Sequence, residues 1–156
     1  MPADQVFEPA VTLHLHRHLP VTPGELFHTL SDSAEISAWM KYPATAGPGL
    51  GGHIMVEFSK TDILDGIICV YEPDKAYAYT WGDSVVKFSI HPDGSGESPL
   101  QLSHSGVTPD LAAGLAAGWH AFLDQLQEHL TGVPRTSVDA DLVAHYKQVY
   151  AAFKRS

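Results

Sequence analysis

From Leu111 onward the apolar residues recur at Leu111, Leu115, Trp119, Phe122, Leu123, Leu126 and Leu130. Spacings of three, four and seven lay them on one broad face of a helix. Thr108 marks the start, with Pro109 at the first helical position and Asp110 in the first turn, and Gly132 and Pro134 close it. About twenty residues of helix make a rod of about 30 Å. A face that long needs a cover.

The cover is written in a different period. Val11 to Leu19 alternates, with Val11, Leu13, Leu15, Arg17 and Leu19 on one side and Thr12, His14, His16 and His18 on the other. That is the pattern of a half-buried strand. Pro20 and Pro23 end it. Pro23 then opens a short helix containing Leu26, Phe27 and Leu30, and Ser31-Asp32-Ser33 caps a second that ends near Trp39-Met40. A Pro/Gly-rich loop runs from Pro43 to Gly52. Five further strands are predicted, from Gly52 to Ser59, Ile63 to Tyr71, Ala76 to Trp81, Val85 to His91 and Leu100 to Ser105. Their connections are short, so the sheet is an antiparallel meander.

These elements predict an α+β fold of the helix-grip kind. A curved antiparallel six-stranded sheet wraps around the long helix, with two short helices after the first strand. Beyond Gly132, an apolar stripe of Leu142, Val143, Tyr146, Val149, Tyr150 and Phe153 predicts an extra C-terminal helix, which packs on the sheet or joins a second subunit. Residues 1–132 are thus read as one domain and 133–156 as a helical extension of it.

Charge narrows the partners. Formal net charge is −9, and no lysine or arginine stands between Lys87 and Arg135. Nucleic acid and acidic membrane both demand clustered cations, so neither is expected as a partner. No run approaches the roughly eighteen apolar residues of a membrane span. The start, Met-Pro-Ala-Asp-Gln, lacks the regions of a signal peptide. Cys69, the single cysteine, has no partner for an internal disulfide, which suits a cytoplasmic location.

Several residue groups carry a resemblance. They are Leu26-Phe27-His28-Thr29-Leu30-Ser31-Asp32 with Trp39, then Gly51-Gly52, Tyr79-Thr80-Trp81, His104-Ser105-Gly106, and Gly118-Trp119 with Leu123 and Leu126. In that order and spacing they resemble the SRPBCC (START-like) superfamily over roughly Val11 to Gly132. More narrowly they resemble its branch called activator of heat-shock protein 90 ATPase homologue, domain 1-like. The resemblance implies a helix-grip fold with a deep, mainly apolar cavity between sheet and long helix, and a protein that binds a small hydrophobic molecule. Members of the superfamily bind lipids, sterols or polyketides, and a minority are cyclases, dehydratases or hydrolases. The branch has no fixed catalytic set, so no catalytic residue, cofactor or metal is carried over. In the eukaryotic co-chaperones a separate N-terminal domain engages the chaperone, and this chain is expected to have no room for one. Two departures stand out. Gly47-Pro48-Gly49-Leu50 replaces the charged loop that relatives often carry, and Leu115 stands where many have a histidine. Both make the site less polar.

The candidate ligand contacts are Trp39, Met40, Tyr79, Trp81, His104, Leu115, Trp119 and Phe122. His104 shares a strand face with Leu100 and Leu102, so it points inward. It is a core histidine bonded to backbone near Ser105-Gly106, a ligand contact, or a general base. The three tryptophans line a cavity or pack as ordinary core. Residues 111–118 read Leu-Ala-Ala-Gly twice. Glycine inside a helix costs roughly 1 kcal/mol relative to alanine, so these small residues either leave volume for a ligand or let the backbone lie close to the sheet. The pocket is expected beside this half of the helix and plain core beside the other.

Other groups read as structural. His14, His16 and His18 occupy a polar face, with no carboxylate or thiol nearby in sequence to complete a metal site. Gly47 to Gly52 lacks the Lys-Ser/Thr and helix start of a phosphate loop. Cys69 is expected in the core, and Glu57, Asp62 and Asp65 in solvent. The alternatives to ligand binding are an enzyme using His104 on a hydrophobic substrate, and a co-chaperone-like interaction module, perhaps a homodimer through the C-terminal helix.

Overall fold

A computed structural model describes residues 10–133. The elements are β1 (Val11–Leu19), α1 (Pro23–Ser31), α2 (Ser33–Met40), β2 (Ala44–Ala46), β3 (His53–Glu57), β4 (Ile63–Glu72), β5 (Ala76–Trp81), β6 (Ser84–Ile90), β7 (Ser98–Val107) and α3 (Pro109–Thr131). The strands form one antiparallel sheet in the order β1-β7-β6-β5-β4-β3-β2. It embraces α3 in the expected helix-grip arrangement. The helix expected from Leu142 to Phe153 lies outside the described residues.

The alternation of β1 comes out as predicted, with Leu15 and Leu19 buried and His14, His16 and His18 exposed. Arg17 turns inward. Its Nη2 lies 3.3 Å from Asp124 Oδ1 and 3.3 Å from His120 Nδ1, both on α3. Asp124 is only 4% exposed, and a carboxylate so placed requires a partner charge. This contact ties the strand at one end of the sheet to the helix.

The two short helices are capped as their sequences require. Thr22 Oγ1 accepts from the Glu25 N–H at 3.2 Å and Asp32 Oδ2 from the Glu35 N–H at 3.2 Å. Gln125 Nε2 then donates to the carbonyls of Trp39 at 2.9 Å and Met40 at 3.3 Å, fastening the end of α2 to α3.

The sheet has seven strands rather than the predicted six. The extra one, β2, lies in the Pro/Gly-rich loop and pairs with β3 from Ala44↔Val56 to Ala46↔Ile54. It is held partly by side chains from α2. Ser37 Oγ accepts from the Ala44 N–H at 2.9 Å, and Ser33 Oγ accepts from the Ala46 N–H at 2.8 Å. A three-residue strand carries too little alternation to announce itself.

Cys69 is exposed, not in the core. Leu64, Gly66 and Ile68 take the inward positions of β4, which turns Cys69 outward. Gly66 is needed there because a Cβ would collide with the Thr80 carbonyl oxygen of β5.

Along α3 the buried stripe is Ala116, Ala117, Trp119, Ala121, Leu123, Asp124 and Leu126. It is rotated slightly from the predicted face. Leu111 is 60% exposed, and Leu115, Phe122 and Leu130 are half-buried. The alanines are the reason, since small side chains let the helix backbone approach its neighbours more closely than leucines would. Among the described residues, no helix is long and apolar enough to cross a membrane.

Large aromatic side chains crowd the interior among the described residues. Trp39, Tyr77, Tyr79, Phe88 and Trp119 are its largest buried side chains. Burial, and then each one's tyrosine neighbour, pushes the Tyr77 and Tyr79 hydroxyls well above the usual phenol range. The space beneath Trp119, where the resemblance implies a deep cavity, is occupied by Phe88, Trp81 and His104.

Candidate functional site

His104 is completely buried, as the alternation of its strand requires. Its Nδ1 accepts from Trp119 Nε1 at 3.0 Å. An indole N–H can only donate, so the neutral ring carries its proton on Nε2. That proton points to Ser84 Oγ at 2.7 Å, and the Ser84 hydroxyl donates onward to the Trp81 carbonyl at 2.6 Å. Both ring nitrogens are therefore used inside the protein. Burial pushes the imidazole pKa down to about 4, which keeps it neutral. The chain of bonds runs from α3 through β7 and β6 to the end of β5, and it fixes the Trp119 indole.

Beside that fixed indole lies an open cleft of about 500 Å3. One wall comes from α3: Gly114, Leu115, Gly118, Trp119 and Phe122. The opposite wall is Trp81 at the end of β5, Phe58 and Asp62 in the β3–β4 turn, and Tyr42 just after α2. The turn is rigidly built. The Asp62 carbonyl accepts from the Phe58 N–H at 3.0 Å and the Ser59 N–H at 3.2 Å, while Ser59 Oγ accepts from the Asp62 N–H at 3.0 Å. Tyr42 is positioned by the helix end before it, where Lys41 adopts φ 63° and closes α2.

The five aromatic rings that line the cleft touch one another in a closed circuit, which a Phe58–Phe122 contact at 6.4 Å also crosses. Centroid separations are 5.1 Å for Tyr42–Phe58, 5.8 Å for Phe58–Trp81, 5.5 Å for Trp81–Trp119, 5.7 Å for Trp119–Phe122 and 6.3 Å for Phe122–Tyr42. These are the spacings of favourable offset and edge-to-face pairs. A Cβ built on Gly118 meets nothing within 4 Å, so this glycine leaves open volume. The small residues of α3 thus serve both roles: alanines allow close approach, and Gly118 leaves room.

Of the eight predicted contacts, Trp81, Leu115, Trp119 and Phe122 line the cleft. Trp39, Met40, Tyr79 and His104 do not. All four lie within the core, with Trp39 Nε1 donating to the Thr29 carbonyl at 3.0 Å. Tyr42, Phe58 and Asp62 are further lining residues, and Gly114 and Gly118 belong to the small-residue half of α3 beside which the pocket is expected. Phe58 was legible, because it continues the inward alternation of Ile54 and Val56. Asp62 and Tyr42 sit in turns that only the fold brings together. His14, His16 and His18 project from the opposite side of β1, where His18 Nε2 lies 2.6 Å from Glu97 Oε1.

The profile of the family described as Activator of Hsp90 ATPase homolog 1-like protein matches residues 20–131. Among curated proteins nothing matches the sequence. Many solved structures share the fold. A conserved protein of unknown function from Enterococcus faecalis superposes with a TM-score of 0.80 at 16% identity, over 92% of this chain and 84% of its own. A protein from Mesorhizobium loti has a TM-score of 0.69 at 25% identity, over 80% and 100% of the two chains. The Aha1 dimer from Colwellia psychrerythraea has a TM-score of 0.69 at 17% identity, over 77% and 96%.

Proposed function

This chain belongs to the Activator of Hsp90 ATPase homolog 1-like family, and from that premise we propose that it binds a small, largely hydrophobic molecule without transforming it. The observation that carries this reading is the cleft of about 500 Å3 walled by five aromatic rings, with open space over Gly118. Concave, aromatic-lined sites of this size suit small ligands. The ligand contacts are Trp81, Leu115, Trp119 and Phe122, joined by Tyr42 and Phe58. His104 gives no support to the enzyme alternative, because both its nitrogens are bonded within the core. Its role is to hold Trp119 in place. We place the protein in the cytoplasm, where an exposed, unpaired thiol such as Cys69 stays reduced.

The neutral dye Nile red tests the reading. It should bind the full chain with one-to-one stoichiometry and should not bind Gly118→Leu, whose side chain projects into the cleft. That variant gains helix propensity, so its unfolding temperature should not fall. Equal dye binding by the variant and the parent would refute the cleft as the site.

A co-chaperone-like interaction module is the second reading, favoured by the fold shared with the Aha1 dimer from Colwellia psychrerythraea. Sedimentation velocity distinguishes it. A dimer that becomes monomeric when the chain is truncated after Gly132 would support association through the C-terminal segment, and a monomeric full chain would exclude it.

A further inference from the structure

Among the described residues that line the cleft, Asp62 is the one acid, and there is no lysine or arginine. Asp62 forms no ion pair with another described residue. Lys60 stands in the same turn, Lys75 is the next cation along the chain and Lys41 stands beside Tyr42, and none of them lines the cleft. The α3 wall adds no positive charge, since no lysine or arginine occurs between Lys87 and Arg135, and the whole chain carries a formal charge of −9. The rest of the lining is aromatic, aliphatic or glycine.

Aromatic rings are not neutral in effect: their faces are electron-rich and attract cations, most strongly at tryptophan. Apolar walls also reduce the solvent screening of a carboxylate at their edge. A circuit of five rings with one uncompensated carboxylate therefore selects against anions and in favour of cations. We propose that the cleft takes an organic cation, an ammonium group on an apolar body. Asp62 and the ring faces hold the charge, and Leu115 and Gly118 accommodate the body. The proposal rests on the ligand-binding reading above and names the class of ligand.

One carbon scaffold with three charges tests it. By calorimetry on the full chain, 4-phenylbutyltrimethylammonium should bind at least about tenfold more tightly than 4-phenylbutanol, with 4-phenylbutyrate weakest, in line with the strength of desolvated cation–π contacts. Asp62→Asn should bring the cation to within about twofold of the alcohol, both measured on that variant. Gly118→Leu should abolish binding of all three, which separates the cleft from diffuse attraction to an acidic protein. The proposal is overturned if the alcohol binds the parent as tightly as the cation, or if Asp62→Asn leaves the cation's affinity intact, while Nile red binding shows that the cleft still accepts ligands. If neither Nile red nor any of the three compounds binds, the ligand-binding reading falls and this inference falls with it.

Discussion

Ser84, Trp119 and the Trp81 ring surround the His104 imidazole without offering it a countercharge. Its pKa stands at about 4 when folded, against the ordinary 6.5. Between those values the unfolded chain takes up a proton that the folded chain refuses, so stability is lost as pH falls from about 6.5 to about 4. The slope from this group is at most about 1.4 kcal/mol per pH unit. His104→Gln should be less stable near neutrality, yet the gap between variant and parent should narrow as the medium is acidified through that window. Chemical denaturation at a series of pH values measures it, and a constant gap would contradict a neutral, buried His104. That His104 points inward was legible from its alternation with Leu100 and Leu102. Its partners were not. Ser84 and Trp119 come from other elements and carry no local mark of the bond they make.

Elements show a similar division. Strands β1, β3, β4, β6 and β7 and the three described helices are written in periodicity or end signals, because each buries one face along several residues, whereas β5 is buried on both faces from Ala76 to Tyr79 and is marked by the turns around it. β2 escaped prediction because it depends on two serines of α2. The buried face of α3 is turned a little from its leucine stripe, because Ala116, Ala117 and Ala121 pack inward. Gly66 provides a test at this scale. Its place against the Thr80 carbonyl sets how closely β4 approaches β5. Gly66→Ala should force the strands apart and destabilise the protein by about 3 kcal/mol, the upper end for overpacking. Urea unfolding checks this, with Gly118→Ala as the neutral or slightly stabilised comparison. Equal stability of the two variants would mean that the β4–β5 contact yields easily.

For the molecule as a whole, the helix-grip architecture followed from order and connection length: a short-looped meander needs a helix, and a long apolar helix needs a sheet. The site was less legible, because its location depends on volume. Summed side chains decide whether the space under a helix is empty, and here large aromatics fill it, so the opening lies at the mouth between α3 and the β3–β4 turn. The arrangement of the three indoles has an optical consequence. Trp39 is buried away from the cleft with its N–H bonded, whereas Trp119, also buried and bonded, borders the cleft together with the part-exposed Trp81, 5.5 Å away. Emission from this protein is thus a fixed signal from one sheltered fluorophore plus that of a pair beside the cleft, one member of which senses the solvent. A molecule entering the cleft would change the emission of that pair, and the protein carries its own dye for reporting occupancy.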